Sequence, residues 1–213
     1  MNPNYILWAI PFFLVSIFAE IIHNYRKNGG KDFNFEDSIT NLNLGVGSQA
    51  IGALTKAVLL MLYVAVFEQL RIFTIEATVL NTIICIVLFD YLYYWAHRWG
   101  HEWNIFWGAH IVHHQSEEYN LTVALRQSWF HNILAFPIFL PLPFLGFDPM
   151  MFVAAAGIVT LYQYWIHTKA IKRMPKWFEF MFNSPAHHRV HHATNEQYLD
   201  HHYAATFILW DRL

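Results

Sequence analysis

Charge is scarce in this chain: lysine, arginine, aspartate and glutamate together make up 13% of its 213 residues, where a soluble domain usually carries about 25%. So few charges beside 56% apolar residues exclude a disordered chain and point to a membrane protein. Cysteine is nearly absent. Cys85 stands alone in an apolar run, so no internal disulfide can form and the redox compartment stays open. Neither sign of charge is in excess: a formal net charge of −2 and a sequence pI near 6.7 leave no footprint for nucleic acid. Repeats, low-complexity tracts and Gly/Ser-rich linkers are missing, and the length leaves no room for a second ordinary domain, so residues 1–213 are read as a single membrane-embedded unit. Histidine, by contrast, is abundant, with 14 residues against 13 lysines and arginines.

Four apolar features are read as spans. Ile6–Ile22 is near the minimum for a helical crossing, and no basic segment precedes it, so an uncleaved anchor is expected rather than a signal peptide. Leu44–Phe67 can span with tilt, and Ile75–Ala96 ends in the aromatic run Tyr91, Tyr93, Tyr94, Trp95 expected at an interface. The fourth is a hairpin. Ile133–Leu145, broken by Pro137, Pro141 and Pro143, and Met150–Ile166 flank the turn signal Gly146-Phe-Asp-Pro149; the short first arm is either a full crossing or re-entrant. Basic residues set the orientation. Arg26, Lys27 and Lys31 follow the first span, Arg98 and Arg126 the third, and Lys169, Lys172, Arg173, Lys176, Arg189 and Arg212 the hairpin, leaving only Arg71 opposite. The polar segments 97–131 and 167–213 are thus expected on the cytoplasmic face of a bacterial inner membrane, or of the endoplasmic reticulum in a eukaryote. The expected fold is an all-α integral membrane protein with about four transmembrane helices and a cytoplasmic helical cap. Glu20, Lys56 and Asp90 fall at membrane depth, where ionisable groups usually face protein. Glu20 is read as interfacial, with Lys56 as a conceivable partner.

Thirteen of the fourteen histidines lie between 97 and 202, within or bordering those two polar segments. His97-Arg-Trp-Gly-His101 places two imidazoles on one helical face, with Asp90 and Tyr94 on the same stripe. Trp95, Trp99 and Trp103 recur on roughly the opposite face. His110-Ile-Val-His113-His114 and His188-Arg-Val-His191-His192 each put three imidazoles on one side of a helix, and His167 closes the hairpin. A single HxxxH is most often solvated surface histidine. Two HxxHH motifs and an HxxxH expected on one membrane face favour metal instead. Nine candidates exceed the four ligands of one tetrahedral ion, so at least two metals are expected; imidazole alone does not choose among zinc, copper, iron and nickel. His23 lies outside the cluster, while His131, His187, His201 and His202 adjoin it as outer or surface residues.

With these motifs in this order the chain resembles the fatty acid hydroxylase/sterol desaturase superfamily. The stretches His110–Ser128, Tyr162-Gln-Tyr-Trp-Ile-His-Thr168 and Asn183-Ser-Pro-Ala-His-His-Arg-Val-His-His192 look most like its alkylglycerol monooxygenase branch and the bacterial relatives of that branch. The resemblance covers roughly residues 85–213. It implies a two-iron centre using dioxygen, held by His97, His101, His110, His113, His114, His188, His191 and His192 with His167 as a ninth ligand. It also places a functional glutamate at Glu102 and admits tetrahydrobiopterin as electron donor. Two departures stand out. Asp200-His-His-Tyr-Ala-Ala205 replaces the usual Asp-Lys-Asn-Tyr-Gly-Gly, putting His202 at the asparagine position as a conceivable extra ligand; and the chain stops at Leu213 where relatives continue, as in a truncated or minimal member.

The expected activity is hydroxylation of a lipid C–H bond by O2, with ether-lipid cleavage if the branch resemblance extends to substrate. The partners would be the lipid substrate, O2, membrane lipids and an electron donor, either a pterin or a redox protein. Asp90 is expected to orient a ligand imidazole. Desaturation or sterol oxidation by the same metals, a non-enzymatic metal carrier, and a bis-histidine haem protein are the competing readings.

Overall fold

The computed structural model describes residues 5–213 and is helical throughout; the described residues contain no strand, only one antiparallel bridge between Phe182 and Phe207. Helix α1 (Tyr5–Asn28) carries Pro11 within it, and α2 (Phe35–Leu70) starts where the Asn34 side chain caps the Glu36 and Asp37 amides. A short link leads to α3 (Val79–Glu102), opened by the Thr78 hydroxyl accepting from the Asn81 amide at 3.2 Å. The third span therefore begins four residues later than the hydropathy indicated and runs six residues further, because the histidine stripe continues the same helix. Helix α4 (Asn104–His114) follows at once.

The expected hairpin has an irregular first arm. Its prolines, which lack an amide donor and fix φ, divide it into α5 (His131–Ala135), a 3-10 turn Phe136–Phe139 and α6 (Pro141–Leu145), whereas α7 (Pro149–Trp165) is continuous behind the Asp148 cap and Pro149. The tip meets the α2–α3 link: the Ile72 amide donates to Phe144 O at 2.8 Å and the Ile75 amide to Gly146 O at 3.3 Å. His131, at the other end of the arm, lies beside His110. The arm thus extends from the histidine end of α3 to the link before it. Gly146 is required at the tip. Its φ is +97°, and a Cβ there would stand 2.0 Å from Phe73 O.

Helices α3 and α7 form the centre, with Cys85, Phe89 and Ala96 packed with Phe139, Met151, Ala155 and Val159. Tyr63 of α2 stacks on Phe152 and donates its hydroxyl to Phe147 O at 2.9 Å. Helix α1 joins through Phe13 and Ile17 against Tyr164, whose hydroxyl bonds Phe13 O. Outward, α1, α2 and α3 expose Phe12, Val15, Phe18, Val46, Leu54, Met61, Val79 and Leu80, an apolar surface that water does not favour and lipid does. Among the described residues two helices, α2 and α3, are long and apolar enough to cross a membrane. Beyond α7 the chain forms the short helices α8 (Lys176–Met181) and α9 (Pro185–His191), then a strap that ends in a 3-10 turn at Ile208–Arg212.

Candidate metal centre

All nine histidines singled out in the sequence converge at the histidine end of α3, in two adjoining groups. The first holds His97 and His101 from α3, His110 and His114 from α4, and His191 from α9. The second holds His113, His167, His188 and His192. Within each group the candidate ligand nitrogens lie within 4.8 Å of one another. Each HxxHH motif is divided between the groups: α4 gives positions i and i+4 to the first and i+3 to the second, and α9 does the reverse. A helix turns about 100° per residue, so i+3 and i+4 splay to either side of i, which lets one helix serve two points. His114 and His192 stack at 4.3 Å and 24° as the shared wall.

Backbone carbonyls fix several of the rings. Nδ1 of His97 lies 2.8 Å from Tyr203 O, that of His113 3.0 Å from Arg126 O, and that of His167 2.7 Å from Gln163 O. A carbonyl only accepts, so each Nδ1 carries the proton and each Nε2 is a bare lone pair. The lone pairs nevertheless face one another: Nε2 of His113 and His167 are 3.1 Å apart, a contact that two acceptors cannot satisfy. Nε2 of His97 and His110, and of His110 and His114, are also 3.1 Å apart, and those of His167 and His188 2.9 Å, with His110, His114 and His188 free to take either tautomer. Nε2 of His101, His191 and His192 is buried with no partner. Buried polar atoms without partners are costly, and a cation about 2 Å from each nitrogen, the usual metal–imidazole distance, satisfies the opposed His113 and His167 lone pairs and the unpartnered Nε2 atoms alike. Burial, and next the neighbouring imidazoles, hold His110, His114, His188, His191 and His192 well below the ordinary imidazole range, and burial pushes His113 down to about 4. The cage is therefore neutral at pH 7, the form that binds metal.

Several expected roles change. Asp90 orients no imidazole: its carboxylate accepts from the Thr206 amide at 2.8 Å, the Phe207 amide at 3.1 Å and Trp210 Nε1 at 2.8 Å. Its lone pairs anchor the strap, and the carbonyls take over ring orientation. Glu102 is exposed and paired with Arg98 at 2.8 Å, at the rim and outside both groups. Glu20 is buried rather than interfacial, accepting from the Leu121 amide at 2.8 Å and from the Thr168 hydroxyl. Lys56 donates to Gln49 at 3.1 Å, so the two do not pair. Neither group includes His131, His187, His201 or His202. His202, at φ +62°, stands beside His187 and Asp211; the left-handed backbone there suits asparagine, so the position is set by conformation.

Sequence reasoning passed over Arg126 and Asn41. Asn41, fully buried on α2, receives Arg126 Nη1 at 3.0 Å and donates to Thr122 and Ser116. Arg126 also donates to Val112 O at 2.5 Å, so the backbone that holds His113 is braced from two sides. Asn41, in the polar opening turns of α2 beside Asn43, with an arginine 85 residues on, was the only signal. On the outer face of α3, Trp95 and Trp99 line an open apolar groove of about 540 Å³ with Phe106, Leu134, Pro137 and Ile138. Phe106 lies one turn from His110, and Leu134 one turn from His131.

Two clusters of neutral imidazoles at the end of an apolar helical bundle form two adjoining groups, each of which could hold a metal ion. The sequence model of the fatty acid hydroxylase family matches residues 82–213, and the chain belongs to that family. It is 34% identical over 212 residues to alkylglycerol monooxygenase of Homo sapiens, 35% to that of Danio rerio and 32% to that of Caenorhabditis elegans. Each match covers 99% of this chain but 47%, 47% and 42% of the relative, so the chain spans about half the length of the relatives it matches. No solved structure matches it.

Proposed function

We propose that this chain is a multi-pass membrane monooxygenase that binds two iron ions and inserts one oxygen atom of O2 into a lipid C–H bond. The observation that carries the proposal is the set of buried ring nitrogens that face one another or lack a partner, above all the opposed Nε2 lone pairs of His113 and His167, which a cation satisfies. His97, His101, His110, His114 and His191 would hold one ion, and His113, His167, His188 and His192 the other. Iron bound there supplies the activation and reduction of dioxygen. The protein's own share is to keep the imidazoles neutral, to fix the tautomers of His97, His113 and His167 through the Tyr203, Arg126 and Gln163 carbonyls, and to exclude water from the ligand nitrogens by burial. Residues 1–213 act as one membrane-embedded unit in which α1, α2, α3 and the hairpin cross the bilayer, and the centre faces the cytoplasm as the lysine and arginine distribution indicates.

The membrane brings the substrate from the apolar side, where the Trp95–Trp99 groove accommodates a hydrocarbon chain. Likeness to the alkylglycerol monooxygenases favours an ether lipid. Hydroxylation of the carbon beside the ether oxygen gives a hemiacetal, which breaks to an aldehyde and a glycerol derivative. Tetrahydrobiopterin is the reductant this likeness favours, and Glu102 with Arg98 marks the exposed rim at which a donor would approach. The test is reconstitution with iron, 18O2 and either tetrahydrobiopterin or a redox protein, offering alkylglycerols, fatty acids and sterols, followed by mass spectrometry of the products. Label in an aldehyde or hydroxylated lipid supports the reading. Unlabelled desaturated product, or no oxygen consumption by a chain loaded with two irons, overturns it.

A further inference from the structure

The two histidine groups are braced by different parts of the chain. In the first group, three of five rings are held by one short segment. Tyr203 O takes the His97 Nδ1 proton at 2.8 Å, the Asp200 carboxylate lies 3.4 Å from Nδ1 of His101, and His201 O lies 3.4 Å from Nδ1 of His191. In the second group the carbonyl braces are Arg126 O for His113 and Gln163 O for His167, both outside that segment. The segment is clamped in turn. Asp211 accepts from the Tyr203 and Ala204 amides at 2.8 and 3.2 Å, and Asn183 donates its side-chain amide to Ala204 O and Ala205 O at 2.6 and 3.1 Å. Asp90 holds residues 206–210 to α3.

We propose that residues 200–211 form a clasp for one of the two metal positions only, with Asp200 as the positioning residue for His101 and Asp211 as the clasp's fastening. This rests on the two-ion reading above. Among the described residues Asp200 is the one carboxylate set against a ring nitrogen of either group, and it reaches there from a left-handed backbone, φ +57°, a conformation aspartate and asparagine tolerate better than most residues. Such an anionic acceptor makes the opposite ring nitrogen a stronger donor to a metal, and its loss elsewhere typically costs ten- to hundredfold in metal affinity. Here the loss falls on one ion of two.

The test uses the full chain in detergent, loaded with 57Fe(II), and follows Mössbauer spectra and the release of iron to a chelator. The variants are Asp200→Asn and Asp211→Asn. The expected result is that one quadrupole doublet shifts and one release phase becomes about tenfold or more faster, while the second doublet and phase match the unsubstituted chain. Equal effects on both ions, or none on either, overturn the clasp. If Asp211→Asn fails to fold, Asp200→Asn decides alone, because its side chain is exposed and asparagine keeps the left-handed backbone. Fewer than two ions in the unsubstituted chain overturns the two-ion reading itself, and is seen before any variant is compared.

Discussion

Replacing Gly146 with alanine isolates the contact that ties the hairpin tip to the α2–α3 link. At φ +97° the new methyl group meets a left-handed backbone, a cost of roughly 1–2 kcal/mol. It also lands 2.0 Å from Phe73 O, so the link must move and the bonds Ile72 N–Phe144 O and Ile75 N–Gly146 O must stretch or break. Each is worth about 0.5–1.5 kcal/mol, which brings the loss to roughly 2–5 kcal/mol. For a chain of this size about 1 kcal/mol moves the melting point by 2–4 °C, so the midpoint in detergent should fall by roughly 4–20 °C. Gly29→Ala is the control. Its φ is +65°, but a Cβ there meets nothing within 4 Å, leaving only the conformational cost of roughly 1–2 kcal/mol. Iron content at low temperature should be unchanged in both variants, since neither residue lies near the histidines. A melting point for Gly146→Ala no lower than that of Gly29→Ala would refute the packing of the tip against the link, and with it a first arm that extends along the whole of α3.

Three further outcomes are expected. His113→Ala and His191→Ala should each lose iron and turnover together, measured as metal per chain; two ions retained by either variant would contradict the ligand assignment. The metal-free cage should loosen as pH falls. His110, His113, His114, His167, His188, His191 and His192 are held neutral below their ordinary value of 6.5, so the unfolded form binds more protons and stability, intact above pH 6.5, declines below it. The decline is read as faster amide exchange in α4 and α9; exchange that slows on acidification, after correction for its intrinsic rate, would reverse the sign. Finally, Leu134→Trp fills the groove beside Trp95 and Trp99, and should lower turnover of long alkyl chains more than short ones at unchanged iron content; an unaltered chain-length profile would remove the groove from substrate binding.

The histidine motifs were legible because helical periodicity fixes which residues share a side, and α3 could be followed from Asp90 to His101 by spacing alone. The division of each HxxHH between two groups was not. It depends on α4 and α9 approaching from different directions, which is tertiary information. Asp90 shows the same limit: spacing put it on the ligand stripe, but its oxygens are taken by amides more than a hundred residues later. Glu20 was misread because its partners, Leu121 and Thr168, are remote in sequence. The braces that matter most, carbonyl oxygens of Tyr203, Arg126 and Gln163, carry no side-chain signature at all. The broken first arm was legible from its three prolines, though its reach to the link was not.

The division of the two motifs also bears on biosynthesis. Because α4 and α9 each contribute to both groups, no stretch of chain made before α9 contains a complete site, and roughly 80 residues separate His114 from His192. During translation α4 emerges with its imidazoles unpartnered while the hairpin is still to be inserted. On the two-ion reading proposed above, iron arriving then would find only partial sites, and neither position could be filled before α9 has been made.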